Sequence, residues 1–215
     1  MIPYGTFTFF LIAFIVLIPV IILGFLGKRS YIYNGISTAI MIVIIFASDK
    51  HNLLGQKYLS AQLFCFIIYV IWQVALIMYY YQSRQRKNTF TKFVTIMVLS
   101  ILPLAIVKIL QSSWLGGHQI HFHESKLIEF VGFLGISYVT FKSVQLIMEI
   151  RDGSIKEIKV GKLIQFISFF PTISSGPIDR YKRYVKDDKK VPSGAEYREL
   201  VIKAIHMICL LYTSP

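Results

Sequence analysis

Five long apolar runs follow one another along the first 150 residues, separated by short polar connections. A helix of about 20 residues crosses a hydrocarbon core about 30 Å thick. Runs of this length with very few charged side chains therefore predict membrane-spanning helices. The predicted spans are at about Thr6 to Leu26, Tyr31 to Ala47, Leu59 to Tyr81, Phe93 to Leu110 and Leu127 to Ile150.

The pattern changes after Lys162. The next apolar segment, Leu163 to Ser175, is only about half a span long, contains Pro171 and has basic residues on both sides. This favours a short re-entrant or interfacial helix, which a membrane tolerates only where protein or water covers its backbone; a buried core helix is the alternative. The predicted fold class is an all-α integral membrane protein with one membrane domain over residues 1–215.

Composition and charge support a membrane setting. Hydrophobic residues make up 55% of the 215 residues and charged residues 16%, and the mean hydropathy is +0.60. In soluble domains hydrophobic residues average about 45–50% and charged residues about 25%, so neither a soluble domain nor a disordered chain is expected.

The formal net charge is +12. Because the basic residues lie between the apolar runs, the charge indicates contact with anionic lipid and not with nucleic acid.

The distribution of Lys and Arg predicts the orientation in a cell membrane, because cytoplasmic loops are enriched in both residues. The loops at 83–92 and 151–162 each hold four basic residues, whereas the loop from Gln111 to Lys126 holds one. The first two loops are therefore predicted to be cytoplasmic and the third external. Alternation then places the N-terminus outside.

A stripe of polar side chains runs along the fifth predicted span. At 100° per residue, four residues fall on one narrow face: Tyr138, Lys142, Gln145 and Glu149. Ser137 and Phe141 flank it. Ionisable groups that face lipid are costly, so we expect the stripe to face protein or an aqueous cavity. The alternative is that its two charged ends reach the interface along their aliphatic stems.

Sequence motifs of soluble enzymes are missing: there is no G-x-x-x-x-G-K-[ST], G-x-G-x-x-G, G-x-S-x-G or H-E-x-x-H. His118, His121 and His123 form H-x-x-H-x-H in the predicted external loop, but no cysteine or carboxylate framework completes a zinc ligand set. No metal site is predicted. His51 and His206 have no partner visible in the sequence that would make either a base.

Two segments together resemble the signature of membrane-bound O-acyltransferases. The first is GISYVTFKSVQ, from Gly135 to Gln145, and the second is FFPTISSGPIDRY, from Phe169 to Tyr181. The resemblance is strongest to the members that act in the D-alanylation of teichoic acid; alginate O-acetyltransferases share G-I-S-x-x-x-F and F-F-P-x-x-x-x-G-P-I-x-R. It covers essentially the whole chain, as the N-terminal half of a longer protein.

The resemblance implies a multi-span helical ring around a tunnel. D-alanine would pass from a phosphopantetheine thioester on an acidic carrier protein toward teichoic or lipoteichoic acid, or an intermediary, and the chain itself would bind no cofactor. The motif positions assigned to the tunnel and its supporting turn are Ser137, Phe141, Gln145, Pro171, Gly176, Pro177 and Arg180. The family's essential histidine lies in the other half, so no catalytic residue is assigned here and this chain alone is expected to lack the base.

The chemistry of the second motif fits such a role. Pro171 and the Gly176-Pro177 pair interrupt the helix, which membrane proteins permit beside cavities. Arg180 suits a phosphate or carboxylate, or serves as a positive-inside anchor. The nearby basic residues that would dock the acidic carrier, or anchor the chain to lipid, are Lys182, Arg183 and Lys186.

Three other functions remain open from the residues. A secondary transporter also uses polar stripes and broken helices, an alginate-type polysaccharide O-acetyltransferase shares the motifs, and a membrane scaffold would need no chemistry. The sequence fixes neither the acyl group, nor the acceptor, nor the assembly state.

Overall fold

The computed structural model describes residues 7–28, 31–47, 59–86, 90–111, 135–155, 157–173, 179–189 and 192–213. All regular structure in these ranges is helical. The α-helices are α1 (Phe7–Phe25), α2 (Tyr31–Ala47), α3 (Leu59–Arg86), α4 (Phe90–Gln111), α5 (Ile136–Arg151), α6 (Val160–Ser168), α7 (Tyr181–Lys189) and α8 (Gly194–Thr213). A short 3₁₀ helix, Phe170–Thr172, follows α6.

Helices α1 to α4 occupy the first four apolar runs, and α5 occupies the described part of the fifth. In α3 and α4 the segments Gln62–Gln85 and Phe90–Ile109 are long and apolar enough to cross a membrane. Helices α1 and α2 hold shorter apolar stretches. The all-helical prediction is confirmed for the described residues, whereas the full number of crossings and their orientation stay predictions.

Two predicted loops are wrong in their extent. Helix α3 continues to Arg86 and α4 begins at Phe90, so most of the predicted 83–92 loop is helical. Helix α6 begins at Val160, inside the predicted 151–162 loop. Hydropathy falls at both places, but a helix does not end where its side chains become polar. In α3 the added residues Arg84, Gln85 and Arg86 are good helix formers, and no proline interrupts either segment.

Helix α5 lies at the centre of the packing. It contacts α3 and α4 on one side and α6 on the other, and α6 in turn contacts α2, α3 and α7. The aliphatic residues Val139, Ile147 and Ile150 of α5 are completely buried. At the end of α5 the Arg151 guanidinium carbon lies 4.3 Å from the ring centre of Phe93, which fixes this end of α5 against the start of α4.

Helix α8 packs against α1. The rings of Phe25 and Tyr197 meet edge to face with their centres 5.1 Å apart. Beyond this contact, large apolar side chains on α1 to α4 point away from the protein, among them Phe14, Ile71 and Val98. A helical surface that is apolar on its outer side is typical of contact with lipid.

Candidate functional site

The two motif segments lie against each other in the structure. Gly135, which begins the first motif, has φ of 92°, and a Cβ placed there would lie 2.5 Å from the backbone oxygen of Ile173. A side chain at this position would be strained by its backbone conformation and would also clash with a carbonyl group. The glycine therefore allows the start of α5 to contact the turn that follows Phe170–Thr172.

Lys142 makes the second connection between the motifs. The side chain is only 2% exposed, and Nζ donates to Thr172 Oγ1 at 2.7 Å. Nζ also donates to the backbone oxygens of Phe166 at 3.3 Å and Ile167 at 3.4 Å. These carbonyls belong to the last turn of α6, where they lack partners within the helix and where positive charge is favourable. Lys142 thus caps α6 from α5.

Glu149 lies two helical turns further along the same face of α5 and meets the start of α7. Both carboxylate oxygens are buried and make no hydrogen bond to the described residues, although the backbone N–H of Lys182, the Arg180 guanidinium and the side chain of Gln145 lie near them. Lys182 is the second residue of α7, so the carboxylate lies at a helix N-terminus, where negative charge is favourable. Glu149 therefore lies near the start of α7 with a charge that suits it, but unlike Lys142 it makes no hydrogen bond to that helix end.

The stripe is consequently a contact surface for the segment from α6 to α7. The Lys142 ammonium meets the C-terminus of α6, and the Glu149 carboxylate lies near the N-terminus of α7. Positive charge is favourable at a helix C-terminus and negative charge at a helix N-terminus. The alternative in which Lys142 reaches the membrane interface does not fit its burial. The other two members of the stripe, Tyr138 and Gln145, are half-buried.

Aromatic side chains of α6 and α7 pack against each other. Phe166 stacks edge to face on Tyr181 with ring centres 5.5 Å apart, and it also contacts Tyr184 at 5.4 Å. Lys162 of α6 forms an ion pair with Asp188 of α7. Burial raises the pKa of the Tyr184 phenol, and the neighbouring Asp188 carboxylate raises that pKa further. The phenol therefore stays neutral, as its packing among the rings requires.

The remaining tunnel residues predicted from the motifs lie in different surroundings. Ser137 is half-buried, whereas Phe141 is 49% exposed on the outer flank of α5. Pro171 and Arg180 are exposed. Gly176 and Pro177 lie outside the described residues. The structure thus brings Lys142 and Glu149 against the second motif, while Phe141 points away from it.

The predicted carrier-docking cations lie together on one short helix. Lys182, Arg183 and Lys186 are all exposed on α7. Arg183 Nε is 3.7 Å from an Asp187 carboxylate oxygen and 3.9 Å from one of Asp179. Exposed pairs of this kind contribute little to stability, so all three cations are available to a partner or to a lipid surface.

Sequence reasoning missed a buried hydrogen-bond network that joins three helices. In it Gln73 Nε2 of α3 donates to Tyr69 Oη at 2.8 Å and to the Ser100 backbone oxygen of α4 at 3.0 Å, and Ser100 Oγ donates to Gln73 Oε1 at 2.8 Å. Tyr69 Oη is 2.6 Å from Thr140 Oγ1 of α5. Because the Thr140 hydroxyl donates to the Ile136 backbone oxygen, Tyr69 donates to Thr140. The visible signal was Tyr69 and Gln73 four residues apart in an apolar run.

The histidines do not join this site within the described residues. His51, His118, His121 and His123 lie outside the described ranges, and His206 is exposed on α8. In the part of the chain that the structure describes, no group of three or more His, Cys, Asp or Glu side chains could hold a metal ion.

Sequence comparisons show which known proteins the chain is similar to. No family model matches the chain. A protein named teichoic acid D-alanyltransferase from Bacillus subtilis (strain 168) is 44% identical over 209 residues, which cover 97% of this chain and 49% of that protein. Proteins of the same name from Lacticaseibacillus rhamnosus and Streptococcus thermophilus are 41% and 31% identical over 97% of the chain, covering 47% and 45% of their own lengths.

The chain spans about half the length of the curated relatives it matches. The resemblance to acyltransferases of teichoic-acid D-alanylation is confirmed at the level of these names, and the broader family of membrane-bound O-acyltransferases stays a prediction. Along nearly its whole length, the chain is similar to part of the teichoic acid D-alanyltransferases.

Proposed function

We propose that this chain is part of a membrane enzyme that transfers D-alanine to teichoic acid during modification of the cell wall. The observation that carries the proposal is the identity of 31–44% over 97% of the chain with three proteins named teichoic acid D-alanyltransferase. The two apolar helices α3 and α4, each long enough to cross a membrane, support a location in the cell membrane.

Within that enzyme, the described part of the chain supplies the scaffold of the second motif. The polar face of α5 holds the end of α6 and the motif turn through the hydrogen bonds of Lys142, and it places the Glu149 carboxylate near the start of α7. The D-alanyl group would arrive as a phosphopantetheine thioester on an acidic carrier protein, and the exposed cations of α7 would attract that carrier from the cytoplasm. Opposite charges across such a contact act mainly on the rate of encounter.

The acceptor hydroxyl must lose a proton when it attacks the thioester, and a positioned base typically contributes about 10²- to 10⁴-fold to such a step. Lys142 is not free for this purpose, because its ammonium is hydrogen-bonded at the end of α6, and Glu149 lies buried beside the Arg180 guanidinium at the start of α7. His206 is exposed and distant in sequence from both motifs. We therefore assign to these residues the positioning of the motif turn, and place the base outside the described residues.

The proposal is tested by deleting the encoding gene and measuring ester-linked D-alanine on the cell wall. Loss of D-alanine that the full-length gene restores is the expected result. Gly135→Ala in the full-length protein should restore much less, because the added Cβ would meet the Ile173 carbonyl at 2.5 Å.

Gly27→Ala is the matched control. Gly27 also has a positive φ, 62°, but its nearest neighbour, the Pro192 backbone oxygen, is 4.0 Å from the added Cβ. Membrane protein levels are measured for both variants. An unchanged D-alanine content after gene deletion would overturn the proposed activity. Full transfer by Gly135→Ala would overturn only the role given to the contact between the motifs.

A further inference from the structure

A groove of about 930 Å³ lies between α2, α3 and α6. Its walls are almost wholly apolar, and several of the side chains that line it are exposed along its open side, namely Ile36, Val43, Ile67, Ile71 and Ile164. These residues continue the outward-facing apolar surface of α2 and α3. The groove therefore opens toward the surface that, in the proposed membrane setting, meets lipid.

Two polar atoms in the groove point to a ligand. Thr38 and Gln165 are 4% and 7% exposed, and neither Thr38 Oγ1 nor Gln165 Oε1 has a hydrogen-bond partner among the described residues. The Gln165 amide nitrogen donates to the Tyr31 backbone oxygen at 3.3 Å, which leaves the amide oxygen as an acceptor. A buried polar atom without a partner is unfavourable, so a molecule that supplied hydrogen bonds here would bind more tightly.

The length of the groove matches one leaflet of a bilayer. On α2 it extends from Tyr31 to Val43, which at 1.5 Å per residue is about 18 Å. Half of the hydrocarbon core is about 15 Å. A membrane-spanning helix from elsewhere would need a groove about twice as long, whereas an acyl chain that runs from the interface to the midplane fits.

One end of the groove carries the positive charge. Tyr31 and Gly161 line this end, and Lys159 and Lys162 lie on either side of Gly161 in the first turn of α6 and its cap. The Lys162 ammonium is 5.9 Å from the centre of the Tyr31 ring and pairs with Asp188, whereas Lys159 is exposed. This end is complementary to an anionic phosphate.

We propose that the groove binds an acyl chain of an anionic glycerophospholipid, with the phosphate and headgroup at the Tyr31 end, beside Gln165, and an acyl ester against Thr38. A headgroup that bears hydroxyls, as in phosphatidylglycerol, supplies the donor that Gln165 Oε1 lacks. The site rests on the membrane location in the proposed function, but not on the transfer of D-alanine.

The test uses the full-length protein in vesicles of phosphatidylcholine that contain phosphatidylglycerol with a diazirine in its acyl chain. After photolysis, mass spectrometry locates the labelled residues. We expect Ile36 and Ile67 of the groove to be labelled well above Val98, an equally exposed residue on the outer side of α4. Diazirine-labelled phosphatidylcholine at the same concentration should label the groove less.

Ala39→Phe fills the groove from α2 and should lower its labelling about tenfold, since the phenyl ring would occupy the space of the acyl chain. Ala75→Phe fills it from α3 and serves as the second variant should the first misfold. Ala105→Phe on α4, outside the groove, is the matched control and should leave labelling unchanged. The double variant Thr38→Val with Gln165→Leu should retain labelling but show a smaller preference for phosphatidylglycerol, because the cations at the Tyr31 end remain.

Three results would overturn the proposal. Equal labelling of the groove and of Val98, unaffected by Ala39→Phe, would mean ordinary boundary lipid only. A groove that stays unlabelled while Val98 is labelled would mean that protein occupies it. An unaltered preference for phosphatidylglycerol in the double variant would remove the role of the two polar atoms. D-alanyl transfer is assayed separately, so its absence alongside intact labelling would contradict the proposed function and leave the lipid site standing.

Discussion

Replacing Lys142 by methionine tests whether the buried ammonium holds the second motif in place. Methionine keeps most of the aliphatic length of the side chain but cannot donate a hydrogen bond. The variant loses a bond of 2.7 Å to Thr172 Oγ1 and leaves the Phe166 and Ile167 carbonyls without their partner from α5. A hydrogen bond to a charged group is worth about 1.5–3 kcal/mol, and each buried orphaned group costs about 1–3 kcal/mol.

These losses do not simply add. The wild-type protein also bears the cost of taking an ammonium ion out of water, which is several kcal/mol for a group that is 2% exposed. The methionine variant recovers that cost. The expected net effect is therefore a loss of about 1–3 kcal/mol from the free energy of unfolding, with the disturbance centred on the end of α6.

Equilibrium unfolding of the full-length protein in mixed micelles measures the stability. Trypsin provides the local measurement, because α7 carries four basic residues and should be cleaved faster when its support loosens. Lys92→Met is the matched control: this lysine is exposed and makes one hydrogen bond, to Ser83 Oγ at 3.0 Å, so its loss should change stability by less than about 0.5 kcal/mol. Equal stability and equal cleavage of the two variants would refute the role assigned to Lys142.

Three further predictions follow from other parts of the chain. Gln73→Leu should lower the free energy of unfolding by about 2 kcal/mol, because two hydrogen bonds between α3 and α4 and one within α3 disappear; an unchanged unfolding curve in mixed micelles would contradict this. Reversing the charges of Lys182 and Arg183 should slow association with an acidic carrier at low salt and much less at high salt, and identical association rates measured by stopped-flow at both salt concentrations would leave lipid anchoring as their role. His206→Ala in the full-length protein should leave D-alanyl transfer unchanged because the imidazole is exposed on α8; a loss of transfer at normal protein level would make His206 the base.

Much of the local structure could be predicted because hydrophobic runs report it directly. The all-helical class and the approximate places of α1 to α4 came from the length of uncharged segments, and the polar face of α5 came from its spacing. The ends of α3 and α6 could not be placed in this way. A helix ends where its backbone loses favourable conformations, not where its side chains become polar.

The contacts of the candidate site were beyond the reach of sequence patterns. Periodicity placed Lys142 and Glu149 on one face, but it did not indicate that this face meets the C-terminus of one helix and the N-terminus of another. The network of Tyr69, Gln73 and Thr140 was missed because single polar residues in an apolar run are equally compatible with several pairings. The pairs in that network are up to 71 residues apart in the chain.

By itself, then, the sequence determined which segments are helices, which face of α5 is polar and where positive charge collects, since these properties depend on side-chain chemistry and local spacing. Only the tertiary structure decided what each polar group contacts. Burying an ammonium or an amide is tolerable only with partners in place, and those partners come from helices that are distant in the chain. The packing of α5 against α3, α4 and α6 brings them together.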